Sequence, residues 1–240
     1  MKPLILKSVI RYCYEGLGLG IFMFSAGFFD AMIDHPDLPF RQHIQSALLR
    51  RFCIGLSMGL TALFILESPF GKRSGAYINP AVTLVQYQLR NINRTDTFFY
   101  ILFQFLGGSL GIWAIYLLIP ELMHHPAIDY IVTRPGKEGP IIAFILEFSI
   151  SFLLISVVLI SSSKSRLAPY TSVFVAILIT LFISFEAPYS GMSMNPARTF
   201  ASAIMANQWH AFWVYMMAPV MGMFLGKWIV IRKLNSSRGL

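Results

Sequence analysis

Ser74-Gly75-Ala76-Tyr77-Ile78-Asn79-Pro80-Ala81-Val82-Thr83 and Ser190-Gly191-Met192-Ser193-Met194-Asn195-Pro196-Ala197-Arg198-Thr199 share six of ten positions, and Ser190 stands 116 residues after Ser74 in a chain of 240. Each decapeptide contains a helix start. Asn is a favoured N-cap, and Pro suits the first helical position because its missing N–H has no partner there anyway. The segments that follow, 81–89 and 197–206, have helical character but reach only about half a membrane thickness. Ser-Gly ahead of each Asn lets the backbone turn tightly and then run extended.

Around these two stretches lie six apolar segments, near 12–33, 46–66, 97–119, 140–161, 168–187 and 209–231. Each suffices for a helix across roughly 30 Å of hydrocarbon. Turn and charge signals separate them, among them His35-Pro36-Asp37, Pro69-Phe70-Gly71-Lys72-Arg73 and Arg134-Pro135-Gly136-Lys137. Apolar residues make up 56% of the chain and charged ones 12%, against about 25% charged in a soluble domain. With 21 Phe, a water-soluble enzyme of this size would expose large apolar patches. The reading is an all-α membrane protein, one domain over 1–240, with six transmembrane helices and two re-entrant half-helices. Each decapeptide follows the second helix of a three-helix set, so the repeats cover about 8–120 and 138–233. An odd number of spans per repeat makes the two halves inverted, an architecture of transport proteins. Non-helical backbone at membrane depth is tolerated only where it is buried or lines a cavity. The half-helices are therefore expected to meet N-terminus to N-terminus near the midplane, with their positive dipole ends between them.

The net charge of +8 sorts by side. Thirteen of the 19 Lys and Arg, including Lys2, Lys7, Arg11, Lys72, Arg73, Lys164, Arg166 and Arg238, fall on the side of the termini. Arg41, Arg50, Arg51, Arg134 and Lys137 fall on the other, beside Asp30, Asp34, Asp37, Glu121, Asp129, Glu138 and Glu186. The positive-inside rule places both termini in the cytoplasm, in a cell (inner or plasma) membrane, and removes nucleic acid as the reason for the basic excess. Lys2, Lys7 and Arg11 before an apolar run resemble a signal peptide; the segment is read as an uncleaved first helix that keeps Glu15. Cys13 and Cys53 are read as small buried packing residues, and 232–240 as a short disordered end.

The paired Asn-Pro-Ala motifs, the trailing Arg198, Glu15 and Glu147 in the first and fourth helices, Gln104 in the third and Trp213-Val214-Tyr215 before Pro219 together resemble the aquaporin (major intrinsic protein) family over essentially the whole chain. The resemblance implies a right-handed six-helix bundle, one pore per subunit and a homotetramer in the lipid bilayer. It implies a passive channel for water and small uncharged solutes, with no cofactor, no metal and no enzymatic activity. Asn79, Pro80, Ala81, Asn195, Pro196 and Ala197 would form the pore centre, where the two amides donate to a passing oxygen and interrupt a proton wire. Arg198 would supply fixed donors and a positive barrier. Glu15 and Glu147 would accept from the loop backbones ahead of the half-helices.

By family alignment the outer constriction falls on Arg198, Met192, Ile183 and, in the second helix, Met58 or Gly59. Strict water channels usually carry His at the fifth-helix position and an aromatic in the second helix; this chain has neither. An apolar rim with a few donors suits glycerol, urea or undissociated metalloid acids. Thr199 stands where glycerol channels usually have Asp, and Ala203 and Met216 complete a mixed set of markers. The alternative from another class is a secondary active transporter of a small solute, which also uses inverted repeats but needs a coupling group; Glu15, Glu147 and Arg198 are its candidates. An intramembrane hydrolase would need a nucleophile or metal-ligand arrangement within the spans, whereas His35, His43, His124 and His125 fall in outer loops. His124-His125 is by itself a weak metal signal.

Overall fold

Proline or a capping side chain opens most of the helices. The computed structural model describes residues 2–237, with side chains over 7–236. Helix α1 spans Lys2–Asp34, α2 Pro39–His43, α3 Ala47–Glu67, α4 Pro69–Ser74, α5 Pro80–Gln88 and α6 Arg94–Leu118. The second half holds α7 at Pro120–His124, α8 at Pro140–Ser162, α9 at Thr171–Phe185, α10 at Ala187–Ser190, α11 at Pro196–Ala206 and α12 at Phe212–Ser237. Ser46 caps α3 by accepting from Leu49 N at 3.3 Å, and Asn93 caps α6 by accepting from Asp96 N at 2.9 Å.

Six helices are long and apolar enough to cross a membrane: Lys7–Asp34, Ala47–Glu67, Arg94–Leu118, Pro140–Ser162, Ala168–Phe185 and Phe212–Ser236. They coincide with the six expected spans, and the chain is a multi-pass membrane protein. Phe64, Phe98, Leu110, Leu118, Ile141 and Phe185 are all exposed on the outside of the bundle, the face that lipid covers. Two expectations change. Helix α12 runs on to Ser237, so 232–237 is the last turns of a helix and not a disordered end; 238–240, with Arg238, and the side chain of Lys2 lie outside the described residues. Cys13 is exposed rather than buried, and Cys53 is half-buried, because the outward faces of α1 and α3 carry them.

The inverted repeat appears in the packing. The most extensive contacts are α1 against α6, α8 against α12, and α3 against α9. The first two pairs join the first and third spans of each half, and the last joins the two second spans. Small residues set these distances, as expected where lipid removes the hydrophobic drive for helix association. A Cβ on Gly107 would stand 2.0 Å from the Gly16 carbonyl oxygen, and one on Gly222 would stand 2.2 Å from that of Phe148. The helices therefore touch backbone to backbone, which brings the two short helices α5 and α11 together in the middle.

Candidate functional site

The loops entering α5 and α11 repeat one backbone path. Gly75, Ala76 and Ile78 have φ of 99°, 45° and 41°, and Gly191, Met192 and Met194 have 83°, 48° and 55°. Left-handed conformations at non-glycine residues cost roughly 1–3 kcal/mol each, and the β-branched Ile78 is the most unusual of them. Buried carboxylates hold this path in place. Glu15 accepts from Tyr77 N at 3.1 Å and Ile78 N at 2.6 Å. Glu147 accepts from Ser193 N at 2.6 Å and Met194 N at 2.7 Å, at the same register positions of the second repeat. The turns before them are fixed alike, by Tyr100 Oη donating to Ser74 O at 2.7 Å and Tyr215 Oη to Ser190 O at 2.6 Å. Tyr100 stands in no motif and is not among the expected site residues. Its spacing from Tyr215, one residue short of the motif offset, is the signal that could have found it.

The support on the first repeat runs deeper. Gln104 Nε2 donates to Glu15 Oε2 at 2.8 Å and to Thr83 Oγ1 at 2.9 Å, and Thr83 Oγ1 donates to Asn79 O at 2.9 Å. On the second, Thr199 and Ser193 share a hydroxyl hydrogen bond, and Thr199 donates to Thr133 Oγ1 at 3.3 Å. Thr199 therefore belongs to the scaffold of the loop. Met216 packs beside Ala143, Val214 and Tyr215 rather than on the central cavity.

The two asparagines are joined across the repeats. Asn79 Oδ1 accepts from Ala81 N at 2.8 Å, while its Nδ2 donates to Met194 O at 2.7 Å. Asn195 Oδ1 accepts from Ala197 N at 3.1 Å and Arg198 N at 3.3 Å, while its Nδ2 donates to Ile78 O at 2.8 Å. Pro80 and Pro196 begin the half-helices, and Ala81 and Ala197 supply the capped N–H groups. Each amide has two N–H donors and spends one on the opposite loop. The remaining N–H of each, with the positive ends of two helices behind it, is available to an oxygen passing between them.

Both asparagines border one cavity of about 440 Å³. Its wall runs from Asp30, Ile131 and Arg198 at one end to Glu67, Gln86 and Ser172 at the other. Met58, Ile183, Met192 and Arg198 all line it; Gly59 does not. A Cβ on Gly59 would stand 2.6 Å from Ala176 O, so this residue is the contact of α3 with α9. The level of each residue also emerges. Gly55 lies against Thr180 and Ile183, whereas Gly59 lies a turn deeper against Ala176 and Thr180. The cavity-lining residue of α3 at the level of Ile183 is therefore Ile54, and Met58 sits about one turn further in. Ile54 is not among the expected rim residues, because Ile54-Gly55-Leu56-Ser57 and Met58-Gly59-Leu60-Thr61 are similar tetrapeptides one turn apart.

Arg198 donates through Nη1 to Ile131 O at 3.0 Å and to Thr133 Oγ1. Its other three N–H groups, on Nε and Nη2, have no partner among the described residues. Two of the acids grouped with the outer side face the interior of the bundle. Asp30 is on the cavity wall. Glu186 is buried at the end of α9 near Glu147, and neither of its carboxylate oxygens has a hydrogen-bond partner. His124 and His125 do not converge: His124 Nδ1 meets Tyr130 Oη at 3.0 Å, while the His125 ring lies 4.4 Å from that of His35. Among the described residues, no group of three or more His, Cys, Asp or Glu is placed to hold a metal ion.

Comparison with known proteins covers the same span. The family model described as major intrinsic protein matches residues 15–230. Aquaporin-4 of Bos taurus is 32% identical over 177 residues, covering 72% of this chain and 53% of its own. Aquaporin-1 of Rhizophagus irregularis is 34% identical over 198 residues, covering 77% of this chain and 65% of its own. The chain thus spans about half the length of the mammalian relatives it matches. The X-ray structure of the aquaglyceroporin from Plasmodium falciparum superposes with a TM-score of 0.78 at 20% identity, over 92% of this chain and 94% of that one. The fold is shared from end to end.

Proposed function

The chain belongs to the major intrinsic protein family, and from that premise we propose that it is a passive channel for water and small uncharged solutes that excludes protons and ions. One observation carries the reading: a single cavity borders Asn79, Asn195 and Arg198 and has otherwise mainly apolar walls. At its centre the two free amide hydrogens point a passing oxygen's lone pairs inward and its own hydrogens away. Successive waters then cannot relay a proton through that point. Toward the outer end, Arg198 gives a neutral solute fixed donors and faces cations with a positive charge in a poorly screened site. Ile183, Met192, Ile54 and Met58 offer the solute little besides apolar surface, which suits glycerol, urea or an undissociated metalloid acid. The reading includes a homotetramer with one pore per subunit, both termini in the cytoplasm, a cell membrane location, and neither cofactor nor enzymatic chemistry.

Stopped-flow light scattering on proteoliposomes tests it. Water efflux in a sucrose gradient, and glycerol or urea influx, are expected to run faster than in empty vesicles, with proton flux at the level of empty vesicles. Water and solute rates both equal to those of empty vesicles would overturn the proposal.

A further inference from the structure

Asp30 is a carboxylate on the cavity wall with no hydrogen bond and no ion pair among the described residues. The acids around it are engaged. Asp34, one turn outward on α1, pairs with Arg50 at 2.5 Å and Arg41 at 3.9 Å. Asp129 pairs with Arg134 at 3.1 Å and accepts from Gln208 at 2.8 Å. Glu67, at the opposite mouth, pairs with Lys72 at 2.7 Å. A bare carboxylate at membrane depth is costly unless it faces a water-filled path, and Asp30 lines the cavity that also borders both asparagines.

The position of Asp30 follows from helix geometry. Leu19, Phe22, Ala26 and Asp30 form one stripe of α1, and all four line the cavity. The stripe begins beside Gly18, which abuts Ile78 just ahead of Asn79, and Asp30 lies about 17 Å along the axis from there. It therefore stands at the outer mouth, where Ile131 and Arg198 also line the wall. With two of the Arg198 N–H groups tied to Ile131 and Thr133, three remain to donate toward the cavity. The mouth thus presents fixed donors and a bare acceptor on a wall otherwise built from Phe22, Ile54, Ile183 and Met192.

We infer that Asp30 is a specificity-determining residue of the outer mouth, accepting hydrogen bonds from a small neutral solute to which Arg198 donates. The inference rests on the channel reading above and narrows its substrate class. A solute with polar hydrogens and an acceptor on different atoms, a small amide or polyol, engages both residues at once. Water engages them singly and gains less from the pair.

The test compares Asp30→Ala and Asp30→Asn with the unaltered protein in proteoliposomes, measuring urea, glycerol, methylammonium and water permeability. Losing one hydrogen bond to the solute is expected to lower urea and glycerol permeability about three- to tenfold in Asp30→Ala, with water within about twofold. Asp30→Asn, which keeps an acceptor oxygen, is expected to lose less. A solute-to-water ratio unchanged in Asp30→Ala overturns the inference. So does an equal fall in water and solutes, which marks a structural role, or a fall in methylammonium alone, which marks a cation site. If the unaltered protein conducts water but neither urea nor glycerol, the inference fails while a water channel stands. If it conducts nothing beyond empty vesicles, the channel reading itself fails.

Discussion

Arg198 Nη1 donates to the carbonyl oxygen of Ile131 at 3.0 Å, so the direction of the pore-side cation is set by a residue outside both repeats. The motif fixes where Arg198 leaves the backbone, three residues into the second Asn-Pro-Ala segment. The loop over 119–139 fixes where its charge ends up, and that loop is pinned by Gln208 to Asp129 and by Arg134 to both. Charge placement at the outer mouth is therefore a property of the assembled chain.

Removing that charge should open the channel to ions. A unit charge about 8 Å from a permeating proton, at an effective dielectric of about 20, is worth about 2 kcal/mol. Arg198→Val is expected to raise proton flux about thirtyfold and to admit larger solutes. Thr133→Val, which removes one of two anchors, should have a smaller effect of the same sign. Fluorescence of an entrapped pH dye in proteoliposomes reads it, and an unchanged leak in Arg198→Val would assign the barrier elsewhere.

The carboxylates behind the loops are expected to matter for stability before flux. Glu147→Gln leaves one acceptor oxygen for three donors and turns an amide N–H₂ toward the rest. With about 1–3 kcal/mol lost per buried N–H left unpaired, the melting temperature in detergent should fall by several degrees or more. Glu15→Gln should be milder, because its two backbone donors, Tyr77 N and Ile78 N, are part-buried rather than buried. Equal shifts for the two variants would show that this difference in burial is not what decides the loss.

Aperture should respond to Ile54 more than to Met58. Ile54 shares the level of Ile183, whereas Met58 lies about a turn deeper. Ile54→Ala is expected to raise glycerol permeability severalfold, and Met58→Ala less than twofold. Paired glycerol and water permeabilities for both variants test the order. A larger gain in Met58→Ala would place the narrow point deeper.

A side chain cannot be added where backbones touch. Gly107→Val would set its Cβ against the Gly16 carbonyl oxygen, at 2.0 Å in the present packing. Separating α1 from α6 is expected to cost at least the 1–3 kcal/mol typical of overpacking. The readout is the loss of a monodisperse peak in detergent chromatography. A normal elution profile and melting temperature would show that the helix pair can slide to make room.

The sequence carried the spans and both half-helices because length, apolarity and Asn-Pro caps are local signals. Met192, Ile183 and Arg198 were placed on the cavity for a related reason, since their distances from Asn195 are short. Ile54 was not, because its level depends on how α3 lies against α9, and two similar tetrapeptides fit equally well. Asp30 falls inside the first expected span and is grouped there only by side, although it shares the 19–22–26–30 stripe of an inward helix face, a periodicity that could have marked it. The anchors of Arg198 lie in an irregular loop with no motif, and no local pattern announces them. Glu186 is grouped in the sequence only by side; the packing of α10 against α8, toward Glu147, is what buries it.

The reciprocal amides of Asn79 and Asn195 also constrain the order in which the molecule can be completed. Until the second half has entered the membrane, the loop at Ile78 lacks its donor from Asn195, and Asn79 has no Met194 carbonyl to reach. The first three spans alone thus hold an unfinished re-entrant segment at membrane depth. Closing both bonds together acts as a latch that shuts only when the last loop arrives. A ribosome that stops before residue 195 would leave a bundle of helices with no seam to draw the two short ones together.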